Sequence, residues 1–438
     1  MRLAWFSPMP PAPSGIAACS ADLVGELRRR HHIDVYTDES QDRRAAGTDS
    51  AHAFISRHRL NPYDLTVYQV GNSSHHDYLW PYLFRYPGLV VLHDAHLHHA
   101  RAAALLRTRR HADYRAEFAL NHPGVHPDLA ELAIAGFDSH LYYSWPMTRL
   151  VVQTSRLTAV HAGPMAYALS AELPHAAVTT VRLAHGVPIA ENNASAARAR
   201  VREQYGISGD AILFGVYGGL TPEKRIPQIL DALSAILPYA PAAHLLLAGA
   251  AARHYDVTAD VRDRGLETRV TMTGYLETDD ELTDAVAACD VSLNLRWPTA
   301  REMSGPWLRA LAAGRPTVTI DLAHLADVPS LDPRTWRTNE IAPVCVAIDI
   351  LDEAHSLRLA MRRLASDKAL RASLGAAGRL YWEREHSMPR MVEDYERVLA
   401  DAAARPAPRI TLPDHLVNNG DRVLNGILAK FGVSQVWD

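Results

Sequence analysis

The residues best suited to chemistry gather in the stretch Val291 to Asp321, VSLNLRWPTAREMSGPWLRALAAGRPTVTID. Glu302 can accept hydrogen bonds from hydroxyl groups. Met303, Ser304 and Gly305 stand where a helix should begin. A helix start offers unpaired N–H groups and partial positive charge to an anion. The combination suits a sugar phosphate, although a loop acid and a plain cap account for the same residues. A second cluster, Gly218-Gly219-Leu220-Thr221-Pro222-Glu223-Lys224-Arg225, follows an apolar run. Its glycines allow close approach, and Lys224 and Arg225 would neutralise a departing diphosphate. The P-loop spacing GxxxxGK[ST] is not met. Near the start, Pro13-Ser14-Gly15-Ile16 lies between a first strand and a first helix, and Gly15 would let backbone approach a ligand. There is no GxGxxG, which argues against a dinucleotide dehydrogenase. His93 ends the run Leu89-Val90-Val91-Leu92, where a side chain faces the cleft of a parallel sheet and could bond a hydroxyl or move a proton. His75, His76, His96, His98 and His99 are close in sequence, but 23 histidines make chance clusters, and no metal site is expected.

Alternating strands and helices must position these residues. Short apolar runs occur at Leu3–Phe6, Ile33–Tyr36, Leu65–Val70, Leu89–Leu92, Leu150–Val152 and Val178–Leu183. Helical periodicity fills gaps such as Ala17 to Arg30 and Ala100 to Leu120. The pattern restarts at Ile212–Tyr217, His244–Leu247, Val270–Met272, Val291–Leu295, Thr317–Ile320 and Val344–Ile348. This predicts an α/β chain of two doubly wound parallel sheets. Ser304 caps the helix after the Glu302 loop, and Gly314 with Pro316 ends it. Helices are expected from Asp352 to Ala404, with a last one over Pro389 to Leu399 and a short one over Asp421 to Phe431. The division predicted is 1–188, 189–388 and 389–438.

At 438 residues, 48% hydrophobic and 21% charged, the chain reads as globular and long enough for two domains. A net charge of −4 without aromatic–basic interleaving gives no reason to expect nucleic acid. Three scattered cysteines, Cys19, Cys289 and Cys345, fit neither a disulfide framework nor zinc spacing and favour a reducing, cytoplasmic setting. The N-terminus makes a poor signal peptide, and no run is long enough to span a membrane. Arg101, Arg107, Arg109 and Arg110 lie in an Ala/Leu-rich segment. A solvated helix face is the first reading, and peripheral contact with the inner membrane face the second.

In order, Gly15 after the first strand, His93 at a strand end, GGLTPEKR, LLLAG, TGY and EMSG…LRALAAGRP resemble the retaining GT-B glycosyltransferases of family four, glycosyl transferases group 1. The similarity covers residues 1 to 400 and is densest from 211 to 321. It implies two Rossmann-like domains facing a cleft, a last helix crossing back to the first domain, and a sugar nucleotide held mainly by the second. It implies that Lys224 holds the donor diphosphate, Gly15 lies by phosphates and acceptor, His93 lies by the donor sugar, and Glu302 begins the family's paired-glutamate loop. The backbone of Met303, Ser304 and Gly305 would approach sugar and phosphate. Two positions depart from the family. Gly219 stands where Arg is usual, with Arg225 beside Lys224 as a substitute charge. Arg309 stands near the place of the second Glu, expected at ribose, and would suit a phosphate instead.

The resulting expectation is a transferase moving a sugar from a nucleotide-diphosphate donor to an acceptor hydroxyl with retention at the anomeric carbon. It needs no cofactor and no obligatory metal. The acceptor is a saccharide, a lipid-linked molecule or a small molecule. The rivals are an epimerase of the same fold and a sugar-nucleotide-binding protein with a decayed site.

Overall fold

Seven strands pair side by side in the first half of the chain. The computed structural model describes residues 1–38, 47–137, 141–337, 342–417 and 426–433. The strands are β1 (Arg2–Phe6), β2 (His32–Thr37), β3 (Asp49–Ser50), β4 (Leu65–Val70), β5 (Leu89–Leu92), β6 (Leu157–Val160) and β7 (Val178–Thr180), in sheet order 3-2-1-4-5-6-7. The second half repeats the plan with β8 (Ile212–Tyr217), β9 (Ala243–Ala248), β10 (Val270–Gly274), β11 (Val291–Leu293), β12 (Thr317–Ile320), β13 (Ser330–Leu331) and β14 (Cys345–Ile348), in order 10-9-8-11-12-14-13. Every pairing is parallel. All residues of β4, β5 and β6 are buried, as strands covered by helices on both faces must be. The strand order reverses between β1 and β4 and again between β8 and β11, and ligands bind beyond the carboxyl ends at such points.

The C-terminal helices return to the first half. Helix Met388–Ala404 buries Met391, Tyr395, Val398, Leu399 and Ala402, a stripe at helical spacing. These residues share one core with Leu3, Trp5, Leu23 and Val67 of the first half and with Trp307, Leu308 and Leu311 of the second. Each large side chain so buried contributes about 1.5–3 kcal/mol. That shared core fixes helix Gly305–Ala312 against the first half, and this helix starts at the predicted site. The histidine-rich loop after β5 meets the second half through backbone. Ala95 N and His96 N both donate to Ala300 O, at 3.0 and 3.1 Å.

Several expected elements differ. Leu150–Val152 belongs to helix Arg149–Thr154, and the strand is Leu157–Val160. A three-residue apolar run does not separate a buried helix from a strand. Here the side-chain oxygen of Asn121, from a distant helix, takes the Leu150 N–H at 3.0 Å and fixes the helix start. The segment from Ala100 to Leu120 is two helices, His98–Leu106 and His111–Asn121, broken where Arg109 adopts φ 58°. The stretch after Pro188, expected as a junction, carries helix Glu191–Gln204. Arg101 is no surface residue. It is buried in an ion pair with Glu117 and lies 4.4 Å over the Trp80 ring, whereas Arg107, Arg109 and Arg110 are exposed. Of the helix expected over Asp421 to Phe431, residues 421–425 lie outside the described residues, and 426–429 are helical. Among the described residues no helix is long and apolar enough to cross a membrane. Cys19, Cys289 and Cys345 are buried free thiols.

Candidate active site

A cleft of about 710 Å³ opens between the carboxyl ends of the two sheets. The first half lines it with Ser14, Gly15, Asn72, Ser73, His93, Asp94 and Tyr143. The second half contributes Thr221, Glu223, Arg296, Glu302, Met303 and Gly305. Gly15, His93, Glu302, Met303 and Gly305, separated by up to 290 residues of chain, therefore line one cleft.

Two helix starts point at the cleft. Ser14 caps helix Gly15–Leu27, its hydroxyl accepting from Ile16 N at 3.2 Å, and a Cβ on Gly15 would meet nothing within 4 Å. Ser304 caps helix Gly305–Ala312 and accepts from Trp307 N at 3.3 Å. Its hydroxyl serves the helix, while the neighbouring Met303 and Gly305 reach the cleft. Gly305 packs tightly, since a Cβ there would sit 3.0 Å from the His185 ring.

Glu302 forms an ion pair with Arg296, and its other oxygen accepts from Thr299 Oγ1 at 2.9 Å. Arg296 was not singled out by sequence, yet it lines the cleft between Glu302, Asp94 and Glu223. Asp94 is the other acid on the wall. One of its oxygens takes the Asn72 N–H at 2.7 Å. Burial first, and then the Glu302 charge facing it from the second half, push its carboxyl up to about 7.

His93 lines the cleft, but both ring nitrogens are engaged within the fold. His161 Nδ1–H donates to Val181 O at 3.0 Å, which leaves His161 Nε2 bare to accept from His93 Nδ1–H at 3.2 Å. His93 Nε2 is 2.7 Å from the Gln69 amide, and Tyr395 OH reaches the same amide at 3.3 Å. Burial holds His93 well below the usual imidazole range, so it is neutral. A neutral ring that donates through Nδ1 must accept through Nε2. The Gln69 NH2, without a partner among the described residues, satisfies it once the amide is turned. A direct hydrogen bond from this ring to a sugar, or a proton carried by it, does not fit the arrangement.

Lys224, Gly219, Arg225, Ser304 and Arg309 are not on the cleft wall. Lys224 Nζ donates to Tyr217 O beneath the Gly218 turn, where φ is +79° and a Cβ would lie 3.2 Å from the ammonium. Burial, and secondarily the Arg296 charge, lower the amine to about 7. Arg225, at φ 59°, forms a two-pronged ion pair with Glu353 (Nε–Oε1 2.7 Å), so it does not stand in for the charge missing at Gly219. A Cβ on Gly219 would meet nothing within 4 Å. Arg309 donates to His185 Nε2 at 2.9 Å and to Asp279 at 2.8 Å. His185, which lines the cleft, is lowered to about 4 by burial and then by Arg309, and receives that bond as a neutral ring. Among the described residues no group of three His, Cys, Asp or Glu is placed to hold a metal ion.

Sequence reasoning missed Arg296, Asp94, His161 and Gln69. Asp94 carried a signal, since it follows His93 at the same strand end. His161 ends β6, the strand misplaced by eight residues or so in the sequence reading, and Gln69 looked like an ordinary strand residue.

No curated protein matches this chain by sequence. The profile of the family described as glycosyl transferases group 1 matches residues 211–336, the stretch that supplies Lys224, Arg296 and Glu302. Sucrose-phosphate synthase from Thermosynechococcus elongatus superposes with a TM-score of 0.63 at 14% identity, over 91% of this chain and 98% of that one. HepE from Anabaena, solved in complex with UDP and glucose, gives 0.61 at 14% identity over 91% and 99%. A glycosyltransferase from Rickettsia africae gives 0.61 at 10% identity over 95% and 99%. Residues 211–336 thus match the glycosyl transferases group 1 model, and the two halves together carry the GT-B fold of these solved structures.

Proposed function

We propose that this protein transfers a sugar from a nucleoside diphosphate sugar to an acceptor hydroxyl with retention of anomeric configuration. The observation that carries the reading is the cleft itself. Two helix starts, the Arg296 guanidinium and two carboxylates from opposite halves converge where both strand orders reverse. In this reading residues 1–188 hold the acceptor, 189–388 hold the donor, and 389–438 begin with the helix that ties them.

The roles follow from the geometry. The diphosphate lies against the Gly305 helix start and Arg296. Lys224, near-neutral while it faces Tyr217 O, turns to the diphosphate and takes up a proton there, because an adjacent anion favours the charged amine. Gly219 leaves that approach open. Glu302 and Asp94 accept hydrogen bonds from sugar hydroxyls, and His93 shapes the wall as a fixed apolar edge. In the transfer, the acceptor oxygen bonds to the anomeric carbon while the bond from that carbon to the diphosphate breaks. The acceptor proton passes to a departing phosphate oxygen. Stabilising that leaving charge is the largest service the site renders. Arg309 and Arg225 act by position, the first through His185 and the second through Glu353. Fixed cations and helix starts supply the charge that a divalent ion would otherwise bring. A cytoplasmic setting fits the three free thiols.

The test is a thermal-shift and calorimetric screen against UDP, GDP, ADP and TDP and their sugar conjugates, with and without EDTA. A ligand at 100 times its Kd stabilises the native state by about 2.7 kcal/mol. One base standing out, unchanged by EDTA, is expected. No response to any of them would overturn the reading. The anomeric configuration of the product, by NMR, tests retention separately.

A further inference from the structure

Behind the cleft lies a second chamber of about 610 Å³, reached past Asn72, Ser73 and His99, which line both spaces. Its walls change character along its length. The inner end carries the polar residues Ser73 and Ser74. The middle is aliphatic, with Ala102, Ala103 and Leu106 from helix His98–Leu106 facing Ala133 and Ile134 from helix Asp128–Ile134. His99, Ala102, Ala103 and Leu106 are spaced i, i+3, i+4 and i+7, so one helix face lines the chamber from end to end. Alanines at two of those places leave the room that a leucine would fill. Arg107, exposed, stands at the outer end. Among the described residues it makes no ion pair. The carboxylate on which its charge acts is Asp77, on which Arg101 acts as well.

We propose that this chamber is the acceptor subsite and that it takes an amphiphilic alcohol. The hydroxyl lies at Ser73 beside the cleft, the apolar body lies along the alanine face, and an anionic group lies at Arg107. The proposal rests on the transferase reading for its purpose but not for its geometry. From His99 to Arg107 the helix rises roughly 12 Å, at about 1.5 Å per residue, which sets the distance between hydroxyl and anion. A saccharide body is disfavoured, because its hydroxyls would face the aliphatic wall without partners. Helices His98–Leu106 and Asp128–Ile134 belong to the helical insertion between β5 and β6, whereas Asn72, Ser73 and Ser74 follow β4.

Calorimetry on the full chain tests the chamber directly. The probes are a medium-chain ω-hydroxyalkanoate, the n-alkanol of equal length, and glucose. The hydroxyalkanoate is expected to bind at least tenfold more tightly than the alkanol, and glucose more weakly than both. Ala103→Trp should abolish that binding. Arg107→Glu, an exposed change that spares folding, should remove the preference for the carboxylate. Equal binding by wild type and Ala103→Trp, or no preference for the carboxylate, overturns the proposal. Hydrolysis of a nucleotide sugar without acceptor, followed in the same three proteins, reports on the donor site alone. If wild type hydrolyses none yet binds the hydroxyalkanoate, the transferase reading fails and the chamber stands.

Discussion

At the carboxyl ends of β4, β5 and β6 the first half places imidazoles that burial keeps neutral. His76 and His161 are lowered to about 4, His96 and His98 to about 3, and His93 well below the usual imidazole range. Beyond β8 and β11 the second half places Arg296, Glu223 and Glu302 on the cleft, with Arg296 ion-paired to Glu302, and holds Lys224 behind them on Tyr217 O. Both halves are the same doubly wound sheet, so the fold does not decide this difference. The first half is a dry wall of neutral rings, in which His93 bonds His161 and Gln69. The second is an electrostatic clamp. Asp94 is the exception in the first half, an acid facing Glu302 across the cleft. On the proposed function, the donor's negative charge belongs to the second half, and the first contributes shape and the Asp94 carboxyl.

Removing the clamp should have the largest effect. Lys224→Ala is expected to lower kcat by about 100- to 1000-fold, the usual consequence of deleting one donor to a developing anion. Steady-state rates at saturating donor measure it. A near-wild-type rate would mean that Arg296 and the helix starts suffice and that the two halves are less unequal than they look. The same lysine offers a readout without turnover. Calorimetry of nucleoside diphosphate binding at pH 8, in buffers of different ionisation enthalpy, should show uptake of up to one proton by wild type and none by Lys224→Met.

Asp94 comes next. Asp94→Asn should lower kcat/KM at pH 8 by about 10- to 100-fold, the worth of a hydrogen bond to a charged group. Wild-type kcat/KM should pass through a maximum near pH 7, rising as the Asp94 carboxyl ionises and falling as Lys224 loses its proton, and the variant should keep only the falling limb. Stability must move the other way. The folded carboxyl titrates near 7, above its unfolded value. The stability it contributes is complete below pH ~4 and is lost as the pH rises through about 7. Denaturant titration should therefore find the variant more stable than wild type by up to roughly 4 kcal/mol at pH 9 and equal to it at pH 4. Lys224, lowered to about 7, has the opposite sign. Its contribution is present above the ordinary lysine range and is lost as the pH falls through about 7. The two variants should thus tilt the pH–stability curve in opposite directions.

How much of this could be read in advance differs between the halves too. The two parallel sheets, Ser304 as cap and the Glu302 loop came from local pattern: apolar runs, a cap residue, Gly and Pro as stops. Strand Leu157–Val160 did not, because the Leu150 run looked equally apolar and its helix is fixed by Asn121 from 29 residues away. The roles of His93 and Arg225 did not either. His93 stands where expected, but the state of its ring depends on Gln69 and His161, which sequence does not place beside it. Lys224-Arg225 looked like two equivalent cations. A left-handed backbone at Arg225 sends the second away from the first, to Glu353, 128 residues on.

His161 sharpens the dry-wall side of the comparison. His161→Phe leaves His93 Nδ1–H without its acceptor, and kcat should fall about 3- to 10-fold, the worth of one neutral hydrogen bond. His161→Gln, whose amide oxygen can accept, should restore most of it. Nitrogen-15 NMR gives the readout that a merely structural role would not move. The His93 tautomer should be protonated at Nδ1 in wild type and in the glutamine variant, and mixed in the phenylalanine variant.

The smallest effect on turnover should come from Arg225. Its guanidinium joins the start of helix Ile226–Ile236 to the start of helix Glu353–Ser366, and the pair is partly buried, with side-chain exposures of 21% and 10%. Arg225→Ala should cost about 1–3 kcal/mol of stability, because it leaves the Glu353 carboxylate unpaired. It should change kcat by less than about threefold, since a neutral hydrogen bond's worth or less separates the two states at the cleft. Thermal unfolding and steady-state kinetics on one preparation separate these outcomes. A loss of kcat as large as that of Lys224→Ala, at unchanged stability, would show that Arg225 leaves Glu353 for the diphosphate when the donor binds. The second half would then clamp its ligand with two movable cations in place of one.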